Sequence, residues 1–67
     1  MKLIKCFNGY RIRPKDVQTF RIVQDDDDDD MFYVVITTYN GEEYDILETF
    51  LSEDAADECI SKLCNNN

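Results

Sequence analysis

The sequence predicts an α+β fold: four or five antiparallel β-strands form a meander, and one C-terminal α-helix packs on the sheet. Asn-Gly pairs at 8–9 and 40–41 each separate runs of aromatic and β-branched residues, and this pattern is typical of β-hairpins. After residue 51 the apolar spacing changes from that of a strand to that of a helix. We expect residues 1–67 to form a single small acidic domain.

Residues 3–7 and 10–13 are the strands of the first predicted hairpin. A two-residue Asn-Gly turn would place Phe7 opposite Tyr10 and Lys5 opposite Ile12. This register predicts an apolar face made of Leu3, Phe7, Tyr10 and Ile12. The opposite face then carries Arg11 and Arg13, beside Ile4 and Cys6.

The next predicted strand is residues 17–24. It follows Pro14, which cannot donate to a β-ladder and therefore marks a break.

Residues 32–39 and 42–50 form the second predicted hairpin, with Tyr39 opposite Glu42. Its middle is apolar on both faces, which indicates a central position in the sheet or cover on both sides. One predicted face carries Tyr33, Val35, Tyr44 and Ile46. The other carries Val34, Ile36 and Leu47.

The helix is predicted over residues 53–63, because Ser52 is a good N-cap and acids follow it directly. Its apolar stripe is Ala56, Cys59, Ile60 and Leu63, and its exposed face is Asp54, Asp57, Glu58 and Lys62. Asparagines 65–67 are predicted to be a frayed tail.

Length and composition limit the class of protein. Eight aromatic residues and an apolar fraction of 43% argue against a wholly disordered chain. A chain of 67 residues has a small core, so a homodimer or higher oligomer is an open option. No apolar run is long enough for a membrane span or a signal peptide. The three cysteines therefore indicate reduced thiols in the cytoplasm.

Charge is distributed unevenly along the chain. Residues 1–24 carry six basic residues and one acid, a net charge of +5, whereas residues 25–67 carry one lysine and fourteen acids, a net charge of −13. The total of −8 argues against direct binding to nucleic acid and favours a basic protein partner.

Enzymatic activity is not expected. The chain has no histidine, and Cys6, Cys59 and Cys64 lack a recognisable base partner. We interpret Cys59 and Cys64 as small core residues on or beside the helix stripe. No cofactor motif or zinc-ligand spacing is present, and the aspartate run (residues 25–30) lacks the glycine and ligand spacing of a calcium loop. We predict no catalytic residue, cofactor or metal.

The acids are the leading candidates for partner contacts. The non-functional interpretation is that these acids belong to a solvent-exposed loop and helix face. The functional interpretation is that they imitate the phosphates of a nucleic acid and occupy a basic groove. The predicted partner-binding residues are Asp25, Asp26, Asp27, Asp28, Asp29, Asp30, Glu42, Glu43, Asp54, Asp57 and Glu58.

Two alternatives stay open. An oligomer could bind a small anionic ligand, such as a signalling nucleotide, through Tyr10, Arg11, Arg13 and Lys15. The basic hairpin could instead contact the acidic loop of another copy and build a structural assembly.

In general character the chain resembles short proteins of phages and mobile genetic elements, which are small, acidic and built from a sheet and a helix. The resemblance implies no site residue. It suggests an anti-defence inhibitor that occupies a nucleic-acid-binding protein of the host or of a bacterial defence system.

Overall fold

In residues 3–65, which the computed structural model describes, five antiparallel strands and one C-terminal helix confirm the α+β prediction. The strands form a two-stranded sheet, β1-β2, and a three-stranded sheet in the order β3-β4-β5. The elements are β1 (Ile4–Lys5), β2 (Arg11–Ile12), β3 (Val17–Gln24), β4 (Phe32–Thr38), β5 (Glu43–Phe50) and α1 (Glu53–Asn65), with short 3-10 turns at Phe7–Gly9 and Pro14–Asp16.

The hydrophobic core lies between α1 and one face of the three-stranded sheet. The central strand β4 supplies Val34 and Ile36, which are both completely buried. Alternation along the strand directs these two side chains to the same face. The buried cluster consists of Ile4, Cys6, Val17, Val34, Ile36, Ile46, Phe50 and Ala56.

The opposite face of the sheet carries charged residues and threonines around a central Val35, with the half-buried pair Val23 and Tyr33 toward one end. Val35 is only 5% exposed, but it does not belong to the core cluster. Its neighbours across the sheet are Arg21 on β3 and Asp45 on β5. Val35 therefore lies among the side chains of exposed charged residues, and the core cluster of the described residues packs on the other face.

The first Asn-Gly loop is one residue longer than predicted. The Cys6 N–H donates to the Tyr10 carbonyl at 2.8 Å, which leaves residues 7–9 in the loop. Asn8 and Gly9 both have positive φ, 66° and 80°, so the pair supplies the left-handed conformations of a three-residue loop.

The longer loop makes the predicted register of this hairpin wrong. Ile4 pairs with Ile12 and Lys5 pairs with Arg11, in place of Phe7 with Tyr10 and Lys5 with Ile12. A shift of one residue exchanges the faces of a strand. Ile4 and Cys6 therefore join the core, whereas three residues predicted to be apolar-facing are exposed: Leu3, Phe7 and Tyr10.

The second Asn-Gly loop differs from the prediction in the same way. The Thr38 N–H donates to the Glu42 carbonyl, and the Thr38 carbonyl accepts from the Gly41 N–H, both at 2.9 Å. Gly41 has a φ of 86°, as expected for a type I turn followed by a left-handed residue. The loop is residues 39–41, so the predicted pairing of Tyr39 with Glu42 is wrong.

The predicted faces of this hairpin change with the register. Ile36 pairs with Tyr44, which places Tyr44 and Ile46 on the core face together with Val34, and not on the face of Tyr33 and Val35. An irregularity in β5 between the Tyr33–Thr49 and Val35–Asp45 pairs adds two residues. An even insertion preserves the alternation, so Phe50 still enters the core. Leu47, within the irregular segment, is 52% exposed.

The helix follows the prediction closely. The Ser52 hydroxyl oxygen accepts a hydrogen bond from the Ala55 N–H at 3.1 Å, which confirms the N-cap. The predicted stripe packs against the core and the predicted acidic face is exposed. Cys64 is exposed rather than a core residue. The helix continues through Asn65, so the tail prediction is wrong there. Positions 66 and 67 lie outside the described residues.

Candidate functional site

The aspartate run lies in the loop that joins β3 to β4. The Asp25 N–H donates to the Met31 carbonyl at 2.9 Å and extends the ladder by one pair. The Met31 N–H then donates to the Asp28 carbonyl at 3.0 Å, which closes a turn at the end of the loop. The backbone of the run is therefore tied down at both ends.

Side chains of the run itself shape this loop. Asp25 Oδ1 accepts from the Asp27 N–H at 2.9 Å, and Asp28 Oδ1 accepts from the Asp30 N–H at 3.0 Å. Aspartate is well suited to such turns, in which its carboxylate bonds the backbone two residues later. Gln24 Nε2 also donates to the Asp29 carbonyl at 2.8 Å. The aspartates therefore stabilise this loop conformation in addition to giving the loop its negative charge.

The negative charge of the run is not neutralised within the described chain. Asp25 is half-buried, and residues 26–30 are exposed. The ion pairs found in residues 3–65 are Arg13–Asp16, Arg21–Glu43 and Lys62–Glu58. None of them contains an aspartate of the run, so no lysine or arginine among the described residues neutralises these six carboxylates.

The other predicted contact residues do not all join the run. Glu42 and Glu43 lie at the opposite end of β4, about 20 Å away for a strand of this length. Phe50 pairs with Phe32, which places the start of α1, with Asp54, at the same end of the sheet as the run. Asp57 and Glu58 lie one turn further along α1. The acids therefore fall into two groups. The first, called the end cluster, consists of the aspartate run, Asp54, Asp57 and Glu58. The second is Glu42 and Glu43 at the other end of β4.

The alternative anion site is largely occupied by the protein's own groups. The Tyr10 ring packs on Tyr44 with 5.0 Å between centroids and 56° between planes. Arg13 Nε donates to Asp16 Oδ2 at 2.9 Å. Arg11 and Arg13 line a shallow depression whose rim also includes Asp16 and Glu42. An incoming anion would meet two carboxylates there, which opposes binding. Lys15 is exposed and is not among the residues that line this depression.

An apolar groove between β1, β5 and α1 was not predicted from the sequence. It has a volume of about 690 Å³ and its apolar lining includes Leu3, Leu47, Phe50, Cys59 and Leu63. The groove depends on the shifted register of the first hairpin and on the irregularity in β5. Neither feature could be recognised clearly in the sequence. The one sign is that the apolar residues among 46–50 do not alternate as they would in a regular strand.

The cysteines differ in their chemistry. Burial, and secondarily the charge of Asp45, raises the pKa of the Cys6 thiol, so Cys6 is protonated at neutral pH and a poor nucleophile. Cys64 is exposed and Cys59 is half-buried. Among residues 3–65, no three His, Cys, Asp or Glu side chains come together in a way that could hold a metal ion.

Comparisons with known proteins add no family or neighbour. No protein-family model matches the chain, and no curated protein or solved structure is significantly similar to it. In the part of the chain that the structure describes, no helix has the length and apolar character needed to span a membrane.

Proposed function

We propose that this chain is a non-catalytic binding protein that occupies a basic surface of a partner protein through its aspartate run. The observation that carries the proposal is the exposure of residues 26–30 in a loop held by backbone and side-chain hydrogen bonds. No arginine or lysine in residues 3–65 forms an ion pair with this loop. A lysine or arginine of a partner protein can therefore bind the loop without first displacing an ion pair within the described chain.

The chemistry of the run favours a partner that binds nucleic acid. Lysine and arginine bind carboxylates and phosphates through the same charge-assisted hydrogen bonds. A groove that attracts a phosphate backbone also attracts six adjacent carboxylates. Because the loop is pre-ordered by Asp25 and Asp28, less conformational entropy is lost on binding than for a free acidic tail.

The helix start enlarges this contact surface. Asp54 lies at the same end of the sheet as the run, since Phe50 pairs with Phe32. We propose that the end cluster makes the contact, whereas Glu42 and Glu43, at the far end of β4, contribute to long-range attraction only. The protein would act in the cytoplasm as an inhibitor of a host or defence-system protein, consistent with its resemblance to small proteins of phages and mobile elements.

A displacement assay tests this function. Bacterial lysate proteins are bound to duplex DNA on a column, and the purified protein is then applied at low salt. We expect it to release a subset of the DNA-bound proteins that a wash with the same low-salt buffer leaves on the column, because its carboxylates compete with the DNA phosphates for the same basic groups.

Matched variants separate the loop from general acidity. A variant with Asn at all of residues 25–30 loses six negative charges and should release nothing. Glu42→Gln with Glu43→Gln should release the same proteins as the wild type. A free hexa-aspartate peptide measures the effect of charge without the fold. Equal release by the Asn variant, or no release by the wild type, would contradict the proposal.

A further inference from the structure

The outer edge of β3 is open for pairing with another strand. β3 is eight residues long and forms one edge of the three-stranded sheet. The Asp25 N–H donates toward β4, and successive residues of an antiparallel strand alternate in the direction of their backbone groups. The N–H and C=O groups of Phe20, Ile22 and Gln24 therefore point away from β4. No other strand in residues 3–65 pairs with this edge.

This edge lacks the usual protections against pairing. Natural edge strands are shortened, interrupted by proline, or carry several charges. β3 contains no proline, lysine or acid, and its single charged residue is Arg21. Arg21 forms an ion pair with Glu43 at 3.9 Å, on the face away from the core. The irregularity near Val17 affects only the start of the strand.

Charges of opposite sign flank β3. The acidic run follows its C-terminal end, and Lys15 precedes its N-terminal end in an exposed turn. Lys15 takes part in none of the ion pairs found in the described residues. Antiparallel pairing of two copies would bring each aspartate run toward the partner's Lys15, whose neighbour Asp16 is already paired with Arg13. Parallel pairing would place acid against acid.

We propose that two copies of this chain pair antiparallel through their β3 edges, about a two-fold axis near Ile22, to form a continuous six-stranded sheet. This register places Phe20 opposite the partner's Gln24, and it brings the turn that carries Lys15 to the end of β3 where the partner's aspartate run begins. It also places Arg21 opposite Val23, so the two arginines do not face each other. The pairing is isologous and uses the β3 edge of both copies, so it closes a dimer and does not propagate into fibres.

This dimer goes beyond the proposed function and does not depend on it. One lysine offsets only part of each aspartate run, so two acidic ends remain, one at each end of the joined strands. A dimer of this kind presents the same contact surface twice and can bind a two-fold or repetitive basic partner with gain in avidity.

Sedimentation equilibrium of the full chain tests the dimer. We expect a mass twice the 7.9 kDa of one chain, with dissociation favoured by high salt. Lys15→Glu should raise the dimer dissociation constant by about tenfold, because an attraction becomes a repulsion twice per dimer. Lys62→Glu makes the same change in net charge on an exposed helix position and should alter dissociation far less.

Charge reversal provides the sharper test. The Asp29 side chain makes none of the loop's hydrogen bonds, since only its carbonyl accepts one. Asp29→Lys can therefore be combined with Lys15→Glu without removing a structural contact. The double variant still leaves five carboxylates in each run, so it should recover only part of the affinity that the Lys15→Glu variant loses.

Two variants at Gln24 test the contribution of backbone hydrogen bonds to the dimer. Gln24→Pro removes an N–H that points outward, together with the side-chain bond to Asp29, whereas Gln24→Ala removes only the side-chain bond. We expect Gln24→Pro to weaken the dimer and Gln24→Ala to leave it intact. A monomer at about 1 mM chain, or a dimer unaffected by both Gln24→Pro and Lys15→Glu, would overturn the proposal.

Discussion

Two adjacent valines of β4 provide a direct test of how the sheet is buried. Val34 is completely buried against α1 and the core, and Val35 is 5% exposed on the opposite face. Their substitution by alanine removes the same two methyl groups from the same strand. Differences in β-propensity therefore cancel, and only the surroundings of the two side chains differ.

The expected loss of unfolding free energy depends on whether neighbouring side chains can fill the space that the removed methyl groups leave. Removing two buried methyl groups costs about 1.6 kcal/mol in lost transfer free energy. At Val34 a cavity remains between packed elements and raises the loss of unfolding free energy to about 2.5 kcal/mol. At Val35 the neighbours are long or exposed side chains such as Arg21, which is 60% exposed. These can close over the gap, so we expect a loss of only about 1.5 kcal/mol.

Urea unfolding of both variants measures the difference. The total stability expected for this length is roughly 3–10 kcal/mol, so both variants should still fold. With a slope of about 1 kcal/mol per molar urea, the Val34→Ala midpoint should lie about 1 M below that of Val35→Ala. Equal midpoints, or a lower one for Val35→Ala, would refute the reasoning that only one face of the sheet carries a packed core.

The remaining predictions concern the helix cap, the second loop and the thiols. Ser52→Ala should lower the unfolding free energy by about 1 kcal/mol, and Ser52→Asp should retain it, because either cap oxygen can accept the backbone hydrogen bond. Gly41→Ala should cost about 1 kcal/mol in thermal or urea unfolding, since its φ is 86° although nothing crowds a side chain there; Gly41→Asn should cost less. Burial raises the pKa of Cys6 and also that of Tyr44. The folded protein therefore holds protons that the unfolded chain releases, and urea midpoints should fall as pH rises above about 8.5. Cys6→Ala should reduce this fall.

Local signals in the sequence were enough to predict the elements of the fold. Ser52 and the apolar stripe of α1 act within a few residues of each other, so the helix start and its buried side could be read directly. The two Asn-Gly pairs indicated the hairpins for a similar reason, because the positive φ of Gly9 and Gly41 is a local requirement.

The register of the hairpins depended on a competition that the sequence does not resolve. Asn-Gly satisfies both a two-residue turn and the left-handed positions of a three-residue loop. Burial of Ile4 and Cys6 against the three-stranded sheet favours the three-residue form, and that sheet is assembled from distant parts of the chain. The predicted apolar face of the first hairpin was wrong for this reason.

The candidate site could be predicted in part. Composition alone identified the aspartate run, and its hydrogen bonds through Asp25 and Asp28 are also local. The predicted hairpin of residues 32–39 and 42–50 already implies that Glu42 lies at the far end of its strands from the run and that the helix start lies at the near end, as the structure has it. The pairing of Arg13 with Asp16 joins residues three apart, and charge spacing could have indicated it.

Native mass spectrometry of tagged protein recovered gently from bacterial lysate tests the central claim most directly. The claim is that the aspartate run binds a basic partner protein. We expect the wild type to retain a basic protein that high salt removes, and the variant with Asn at residues 25–30 to retain none. The Glu42→Gln, Glu43→Gln variant should keep the companion. A companion that stays bound to the Asn variant, or a wild-type chain that carries no basic protein, would contradict the claim.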